Sequence, residues 1–510
     1  MSVVRTSLVC QFFLGLWRTL AGAMEGSRVV RFFRSLGLAL ARTVESSRVC
    51  QFLWREGVLS RSWGDSLTCK LLILLFNIPV NLCKWLYRAG KEMWDTSLVF
   101  RAVHFLCSPS AILLGLSAAV TLMVPHERWN NLYSLYMAVL LCGLFAVGVS
   151  KSRNRLRPDA LGPYFIFFMV FVAYGFLSSL DWGLSIRFVG FYLAAFLLCL
   201  LAVSSIERYE DMERLCVLLI LGLTVAALYG CYQGVTGVEV VANQQDLILN
   251  KGMPGRAYSF FDNPNNFAEL MVMLTPLTYA LFLNARTLRG KIFAAGSFAV
   301  TLAALGYTYS RSGWLGMALA TVVFIAFWNW RVLPLLVVLG FLAVPLLPET
   351  IYNRILTIGN TKDSSTSYRF AIYGAAWRLM QDYWFRGVGL GSDVLKQTFK
   401  SYPTMFDGNW PIHTHNNYLQ MWAETGLLGG LSFLAAVLHQ LKEGTRAVVG
   451  CRDRRVRNLL AAAVAGFCGI VLISVAEYTW FYARNMFLYF LLFGLISAGI
   501  RLSKEEREPI

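Results

Sequence analysis

Residues 184–204 read "LSIRFVGFYLAAFLLCLLAVS", and after the charged octet "ERYEDMER" at 207–214 a second apolar run continues to residue 235. A run of about 20 apolar residues is long enough to cross the hydrocarbon core of a membrane as a helix. Two such runs on either side of a short charged loop predict a pair of transmembrane helices that cross in opposite directions.

The same pattern recurs through most of the chain. Of its 510 residues, 57% are hydrophobic and 14% aromatic, and the mean hydropathy is +0.54, whereas soluble domains are about 45–50% apolar. We therefore predict an all-α polytopic membrane protein and not a soluble one. The sequence predicts about twelve transmembrane helices, near 109–125, 134–150, 163–180, 184–204, 214–235, 264–284, 291–308, 312–328, 332–347, 416–441, 458–478 and 482–500.

Charge sets the expected orientation of these spans. If both termini are cytoplasmic, the cytoplasmic connections carry sixteen basic residues and the short outer ones three, as the positive-inside rule requires. The net charge of +17 is then explained by the basic residues that orient the protein in the membrane, and it gives no reason to expect a nucleic-acid partner. We expect a location in the inner (cytoplasmic) membrane, with the long polar loops 236–263 and 348–415 both on the outer face.

The first hundred residues carry a degenerate repeat. Its units, "SLVCQFF", "SRVVRFF", "SRVCQFL" and "SLTCKLL", begin at Ser7, Ser27, Ser47 and Ser66. Basic amphipathic helices of this kind lie in a membrane interface. We predict an interfacial segment over 1–105, including the short apolar run 71–87 broken by Pro79, followed by a transmembrane domain over 106–505. A basic, poorly ordered tail is the alternative.

Three polar clusters fall on the predicted outer face. "GMPGRAYSFFDNPNNFAE" (252–269) contains Arg256, "TYSRSGWLG" (308–316) contains Arg311, and "PIHTHNNYLQ" (411–420) contains His413 and His415. Taken singly, the asparagines read as helix N-caps and Arg311 as an interfacial anchor. Taken together, they bring two guanidinium groups and an imidazole to one leaflet, where charge is costly unless it has a function.

These residue types suit one kind of chemistry. Arginine grips phosphate oxygens with two prongs and keeps its charge, while histidine can take a proton from a hydroxyl near neutral pH. They fit a reaction in which a phosphate leaves a lipid-linked substrate. No nucleotide-binding motif, acidic metal pair or C-x-x-C pair is present, so we expect no cofactor and no metal.

Four segments resemble the signature segments of the O-antigen ligase and polymerase superfamily, in that family's order. They are "RAYSFFDNPNNFAE" (256–269), "SRSGWLG" (310–316), "SYRFAIYGAAWRLMQDYWFRGVGLGS" (367–392) and "HTHNNYLQMWAETGLLGG" (413–430). The resemblance extends over residues 110–500, with the large outer loop between spans nine and ten, and it leaves the N-terminal repeats without a family role.

The resemblance implies an inverting, metal-independent glycosyltransferase of the membrane-embedded C-type fold, whose donor is a glycan on undecaprenyl pyrophosphate. His415 would be the base that deprotonates the acceptor hydroxyl, and Arg256 and Arg311 would hold the pyrophosphate. Arg369 would shape the loop or bind the same phosphates. Secondary positions are His413, Asn265, Asn416 and, at the outer end of the last span, Arg484, which is either a further phosphate contact or an anchor.

Several alternatives stay open from the sequence. The acceptor can be a lipid core, a second lipid-linked glycan (which would make the protein a polymerase) or a protein. A transporter for bicarbonate or another small anion is the rival from a different class. We expect Glu269 and Glu424 to make helix–helix hydrogen bonds, and Gly387, Gly389 and Gly391 to permit a tight backbone turn rather than a nucleotide loop.

Overall fold

The computed structural model describes residues 27–48, 54–240, 252–356, 364–402 and 410–505, together with a few isolated positions. The chain forms two compact units, Met1–Arg61 and Ser62–Ile510. In the first unit the backbone of helix α1 runs over Arg28–Ser46, and the repeat that begins at Ser7 lies outside the described residues. The interfacial placement of this segment stays a prediction.

The described residues of the second unit are helical wherever they have regular structure. After the short helix α2 at the unit boundary (Val58–Ser62), the helices are α3 Leu67–Phe76, α4 Ile78–Ala89, α5 Lys91–Thr96, α6 Leu98–Cys107, α7 Ser110–Met123, α8 Leu132–Gly148, α9 Pro163–Leu177, α10 Trp182–Ser205, α11 Tyr209–Thr236, α12 Pro264–Leu274, α13 Pro276–Asn284, α14 Leu288–Tyr307, α15 Arg311–Asn329, α16 Leu333–Ala343, α17 Glu349–Leu356, α18 Ser364–Asp382, α19 Ser392–Phe399, α20 Asn417–Gly450, α21 Arg454–Ile473 and α22 Ala483–Glu505.

The protein is an all-α polytopic membrane protein, as predicted. Among the described residues, eight helical stretches are long and apolar enough to cross a membrane, or up to ten if two bent pairs, α3 with α4 and α6 with α7, each count as one. Each of the twelve predicted segments contains an apolar helix, but α8 and α9 are short. The count of twelve therefore stays a prediction.

Residues 311–346 form one apolar helical stretch of 36 residues, which a straight helix would extend over about 54 Å. However, Tyr309 Oη lies 3.3 Å from Thr350 Oγ1, so the chain must return to its starting level. The reversal lies at the tight turn Trp330–Val332, which Asn329 enters with an extended backbone (φ −162°). Two antiparallel segments, α15 and α16, result, as the sequence indicated.

Helix α22 forms the centre of the bundle and is buried along nearly its whole length. Small residues let its neighbours approach closely: a Cβ at Gly494 would lie 2.5 Å from the carbonyl oxygen of Cys199 on α10. Close approach of this kind is a common source of packing energy between helices in a membrane. The result is a tightly packed scaffold for the connections at its ends.

Helix α20 is broken at Gly426, whose φ of 75° and ψ of −180° are not helical. The break leaves backbone groups without partners inside the helix, and the segment 384–389 satisfies them. The amide of Val388 donates to the Ala423 carbonyl (2.8 Å) and that of Gly389 to the Glu424 carbonyl (3.1 Å), while the Leu427 amide donates to the carbonyl of Trp384 (2.8 Å). We call this contact the glycine lock. It fixes the loop 364–402 onto the helix that follows the histidines.

One end of the bundle gathers the connections in which the candidate residues lie. Three backbone hydrogen bonds join these connections. The amide of Leu180 donates to the carbonyl of Val388, that of Ala257 to the carbonyl of Tyr307, and that of Asn417 to the carbonyl of Ser474. We call this end the site face; it is built from residues 124–131, 178–181, 237–240, 252–263, 308–310 and 474–482 and the described part of 347–416. The predicted polar clusters thus lie on one side, although nothing in these contacts fixes which side of a membrane that is.

Candidate functional site

A strained turn holds His415 at the start of helix α20. The Asn416 side chain accepts hydrogen bonds from the amides of Tyr418 (2.9 Å) and Leu419 (3.0 Å), so Asn416 is the helix cap. Gln420 Oε1 accepts from the Thr414 amide at 2.9 Å. Between these two anchors, His415 adopts a φ of 51°, a left-handed conformation that costs energy in a non-glycine residue and is found mainly where the surroundings impose it.

In the part of the chain that the structure describes, such backbone strain lies on this face of the molecule. Among the described residues, the non-glycine residues with positive φ are Ser259, Tyr309 and His415. Each lies within three residues of a predicted site residue, Arg256, Arg311 or His413. Strained backbone concentrates at functional sites, so the three clusters stand out from the rest of the chain without reference to any sequence motif.

Glu477 connects the histidine to an arginine. Its Oε2 lies 3.4 Å from His415 Nδ1, and its Oε1 accepts hydrogen bonds from Arg369 (2.5 Å) and Asn265 Nδ2 (3.2 Å). Burial raises the pKa of this carboxyl, but the charges of Arg369, His415 and Arg256 outweigh burial and leave its pKa below the ordinary value. The carboxylate is therefore charged at neutral pH and favours a proton on His415 Nδ1, which leaves Nε2 as the basic atom.

His413 supports this arrangement from below. It is the acceptor, through Nδ1, of a hydrogen bond from the His415 amide (3.2 Å), and its ring packs 4.6 Å from that of Phe481. Burial, followed by the charges of His415 and Arg369, holds the pKa of His413 well below 6.5. The ring is neutral at physiological pH and has one nitrogen engaged, which suits a supporting role better than that of the base.

Arg256 joins the first two clusters. It is buried, and it donates through Nε to the Thr308 carbonyl (2.7 Å) and through a terminal nitrogen to Asn265 Oδ1 (2.6 Å). Burial lowers its pKa to about 9, with the nearby charges of Arg354, Arg311 and Arg369 as further causes and Glu477 opposing them. The guanidinium stays charged at neutral pH, in a region where several cations influence one another.

The side chain of Asn265 connects two other site residues and does not cap helix α12. The cap of helix α12 is Asn263, whose side chain accepts from the Asn265 amide at 2.8 Å. The side chain of Asn265 is thereby left to join Arg256 to Glu477. In the Asn-Pro-Asn-Asn turn, the interpretation as a helix N-cap therefore holds for Asn263 and not for Asn265.

Arg311 occupies the first position of helix α15, after the cap Ser310, whose side chain accepts from the Gly313 amide at 3.3 Å. It is half-buried, and its charge contributes to the lowered pKa of Arg256. The positive end of the α15 dipole points the same way. An anionic group bound beside Arg311 would therefore meet both the guanidinium and the helix terminus.

Two residues of this site were missed in the sequence. Glu477 stands at the end of an apolar run in "SVAEYTWFY", where it reads as the edge of a span, and its partners lie 62 and 108 positions away along the chain. Arg354 was passed over within the long loop, although it is buried and donates from Nε to the Tyr309 carbonyl at 3.4 Å. One signal in the sequence could have found Glu477: an ionisable residue next to a membrane span has a functional role as its default interpretation.

Arg484 lies apart from this cluster. Its guanidinium donates to the carbonyls of Val124 (2.7 Å) and Phe260 (3.1 Å) and rests against the rings of Phe261 and Trp129. These contacts tie two connections of the site face to the last helix. Of the two roles left open for Arg484, the contacts favour the anchor.

The two buried glutamates differ in their partners. Glu269 accepts a hydrogen bond from Asn485 Nδ2 (2.6 Å) across helices α12 and α22, which is the expected interhelical contact. Glu424 accepts from Gln420 (2.7 Å) on its own helix and from the Tyr478 hydroxyl (3.5 Å) beyond α21, and Gln420 in turn holds the Thr414 amide. Glu424 therefore supports the histidine turn from inside the bundle.

Two comparisons with known proteins point to O-antigen ligases. The family described as O-antigen ligase matches residues 296–434, a range that holds Arg311, Arg369, His413 and His415. An O-antigen ligase of Salmonella typhimurium is 24% identical over 419 residues, which cover 78% of this chain and 93% of the relative. Both comparisons support the O-antigen ligase superfamily for this chain. This similarity supports a role as a lipid-linked glycan ligase, a membrane enzyme that transfers glycans.

Proposed function

We propose that this protein transfers a glycan from undecaprenyl pyrophosphate to an acceptor hydroxyl on the outer face of the inner membrane. The observation that carries the proposal is the contact of His415 with Glu477, which also binds Arg369 and Asn265. It joins a group able to accept a proton to the groups able to bind phosphate, within one connected set of hydrogen bonds.

The reaction follows from the roles of these groups. Nε2 of His415 takes the proton of the acceptor hydroxyl, and the oxygen attacks the anomeric carbon of the donor glycan. The bond from that carbon to the pyrophosphate oxygen breaks, with inversion at the carbon. Arg256, Arg311 and Arg369 stabilise the charge that develops on the departing undecaprenyl pyrophosphate.

Glu477 has two tasks in this proposal. It orients the imidazole and stabilises its protonated form after proton transfer, as a carboxylate does for a histidine base in other enzymes. It also holds Arg369 in place while leaving that residue's other nitrogens for the donor. Arg354, buried against the same loop as Arg256, adds positive charge at the same place.

The balance of this reaction requires no metal, since the arginines supply the positive charge that a divalent cation would otherwise supply. Among the residues that the structure describes, no three His, Cys, Asp or Glu side chains are grouped as metal ligands would be. Metal independence stays a prediction, and a chelator in the assay tests it.

The decisive experiment is the substitution His415→Ala, measured as transfer of glycan from undecaprenyl-pyrophosphate donor in liposomes, with donor binding measured separately. We expect the rate to fall by a factor of about 10² to 10⁴, typical for loss of a general base, with donor binding retained. His126→Ala is the matched control, because His126 also lies on the site face but pairs with Asp262 (3.7 Å). Full activity in His415→Ala would leave the histidine as a structural element of the turn only.

The arginines should behave differently. Arg256→Ala and Arg311→Ala should weaken donor binding and transfer together, and lysine should rescue them poorly because a point charge cannot make a two-pronged contact. Supplying a lipid, a second lipid-linked glycan or a protein as acceptor in separate reactions assigns the acceptor class. Transfer to none of them, combined with uptake of a small anion into liposomes, would favour the transporter.

A further inference from the structure

Helix α18 has three faces with different surroundings. On its way past the site it contributes Arg369, which pairs with Glu477, and Tyr373, whose hydroxyl donates to the His415 carbonyl at 3.2 Å. A second face packs into a small apolar core of its own with α19 and the start of α20, formed by Ile372, Ala375, Ala376, Leu379, Met380, Val388, Val394, Leu395, Phe399 and Ala423. The remainder of the helix is exposed.

The exposed part is divided into an aromatic and a polar edge. Phe370 (59% exposed) and Trp377 (53%) stand about two turns apart on the same edge, next to the site face of the helix. The other edge holds Arg378 and Asp382, both exposed, while the exposed Gln381 follows Trp377 one turn later. A helix whose exposed surface separates aromatic from polar residues is the kind that lies along a membrane interface.

The aromatic edge continues beyond the helix. Trp377 packs edge-on against Trp422 at 6.2 Å, and Trp422 Nε1 donates to the Trp384 carbonyl at 3.0 Å. Trp384 and Phe385 are both about half exposed. We call Phe370, Trp377, Trp384 and Phe385 the aromatic band.

The band adjoins the lipid-facing surface of the spans. The glycine lock attaches Trp384 to Leu427 on α20, and the hydroxyl of Ser178, at the end of α9, donates to the Arg386 carbonyl at 3.3 Å. The apolar side chains that follow on these two spans, Leu177, Leu428 and Leu431, are exposed as lipid-facing residues are. The band is therefore a continuation of a surface that already faces hydrocarbon.

We propose that the aromatic band lies in the lipid interface of the leaflet next to the site face, so that α18 rests on the membrane and does not stand in water. Tryptophan and phenylalanine favour this level, where an amphipathic ring meets both head groups and acyl chains. The consequence is a fixed depth: Arg369 and Tyr373, on the adjoining edge of the same helix, are held at the level of lipid phosphates. This inference concerns placement and does not rest on the proposed reaction.

The test uses the full chain in liposomes, with single cysteines labelled by the environment-sensitive fluorophore NBD. Phe370→Cys is compared with Ala371→Cys, and Trp377→Cys with Arg378→Cys, because neighbouring residues point about 100° apart around a helix. The unsubstituted protein, treated in the same way, gives the background from native cysteines. Quenching is measured with doxyl-labelled lipids and with iodide in the water.

At positions 370 and 377 we expect strong quenching by the doxyl lipids and little by iodide, and at 371 and 378 the reverse. Equal quenching by iodide at all four positions would place the helix in water and overturn the proposal. Protection from both quenchers at 370 and 377 would also overturn it, since the band would then be covered by protein, a second copy of this chain or another partner.

Discussion

At the level of single residues, the site depends on how His415 is held more than on its presence. A carboxylate contacts Nδ1, a neutral histidine accepts its amide hydrogen, and the backbone is forced into the left-handed region. Polar clusters beside apolar runs pointed to His415, Arg256 and Arg311, and the family resemblance added Arg369. They missed Glu477, because its partners lie in the large loop and at the start of α12, and only the folded chain brings them together.

Glu477→Gln tests the charge of this residue with little change of shape. Because folding lowers the pKa of Glu477, its contribution to stability is present above the ordinary carboxyl pKa of about 4.3 and is lost as pH falls through the lowered value. At neutral pH the substitution removes a full negative charge. We expect transfer to fall by a factor on the order of 10², with a smaller effect on donor binding, measured in liposomes at pH 7.

Asp262→Asn is the control for this prediction, since Asp262 lies on the same face but pairs with Tyr482 and His126. It should retain most of the activity. If Glu477→Gln and Asp262→Asn lose activity to the same extent, the loss reflects general damage to the site face, and the proposed role of Glu477 is wrong.

At the level of elements, the sequence located the helices but not the break within one of them. The apolar pattern of α20 runs on through "ETGLLGG" and gives no sign that Gly426 leaves the helical conformation. The glycines of "RGVGLGS" adopt the positive φ of a tight backbone turn, as predicted, yet their purpose depends on a partner far along the chain. Gly387 and Gly426 face each other across the glycine lock, which no local pattern can reveal.

Gly426→Ala should open the glycine lock. A Cβ there would stand 1.8 Å from the Phe385 carbonyl oxygen, at a φ that favours glycine. We expect a lower melting temperature in detergent, faster proteolysis within 364–402 and loss of transfer, because Arg369 and His415 are positioned by elements on the two sides of the lock.

Gly374→Ala is the matched control, since its Cβ would meet nothing within 4 Å and alanine favours a helix interior by about 1 kcal/mol. It should keep or slightly raise the melting temperature and keep activity. Normal stability and activity in Gly426→Ala would mean that the lock does not position the site.

At the level of the whole molecule, the distribution of charge was enough to predict that the polar clusters share one face of the bundle. Contacts between distant connections confirm that they do. Arg484 on the last helix bonds to carbonyls in the first and third connections of the site face, while at the opposite end Asn284 Nδ2 donates to the Arg455 carbonyl at 2.9 Å. Lengths of apolar runs gave the approximate spans. They could not give the bends at Asn77 and Pro109, where two helix pairs turn by 53° and 63°.

The orientation of this bundle in the membrane is the final prediction. Sixteen basic residues in the connections opposite the site face, against three in the short connections on it, favour a site face turned outward. Lys400→Cys, exposed in the large loop, should react with a membrane-impermeant maleimide on intact cells. Arg452→Cys, exposed between α20 and α21, should react only after permeabilisation. The reverse pattern would put His415 in the cytoplasm, where a glycan presented on the outer leaflet cannot reach it.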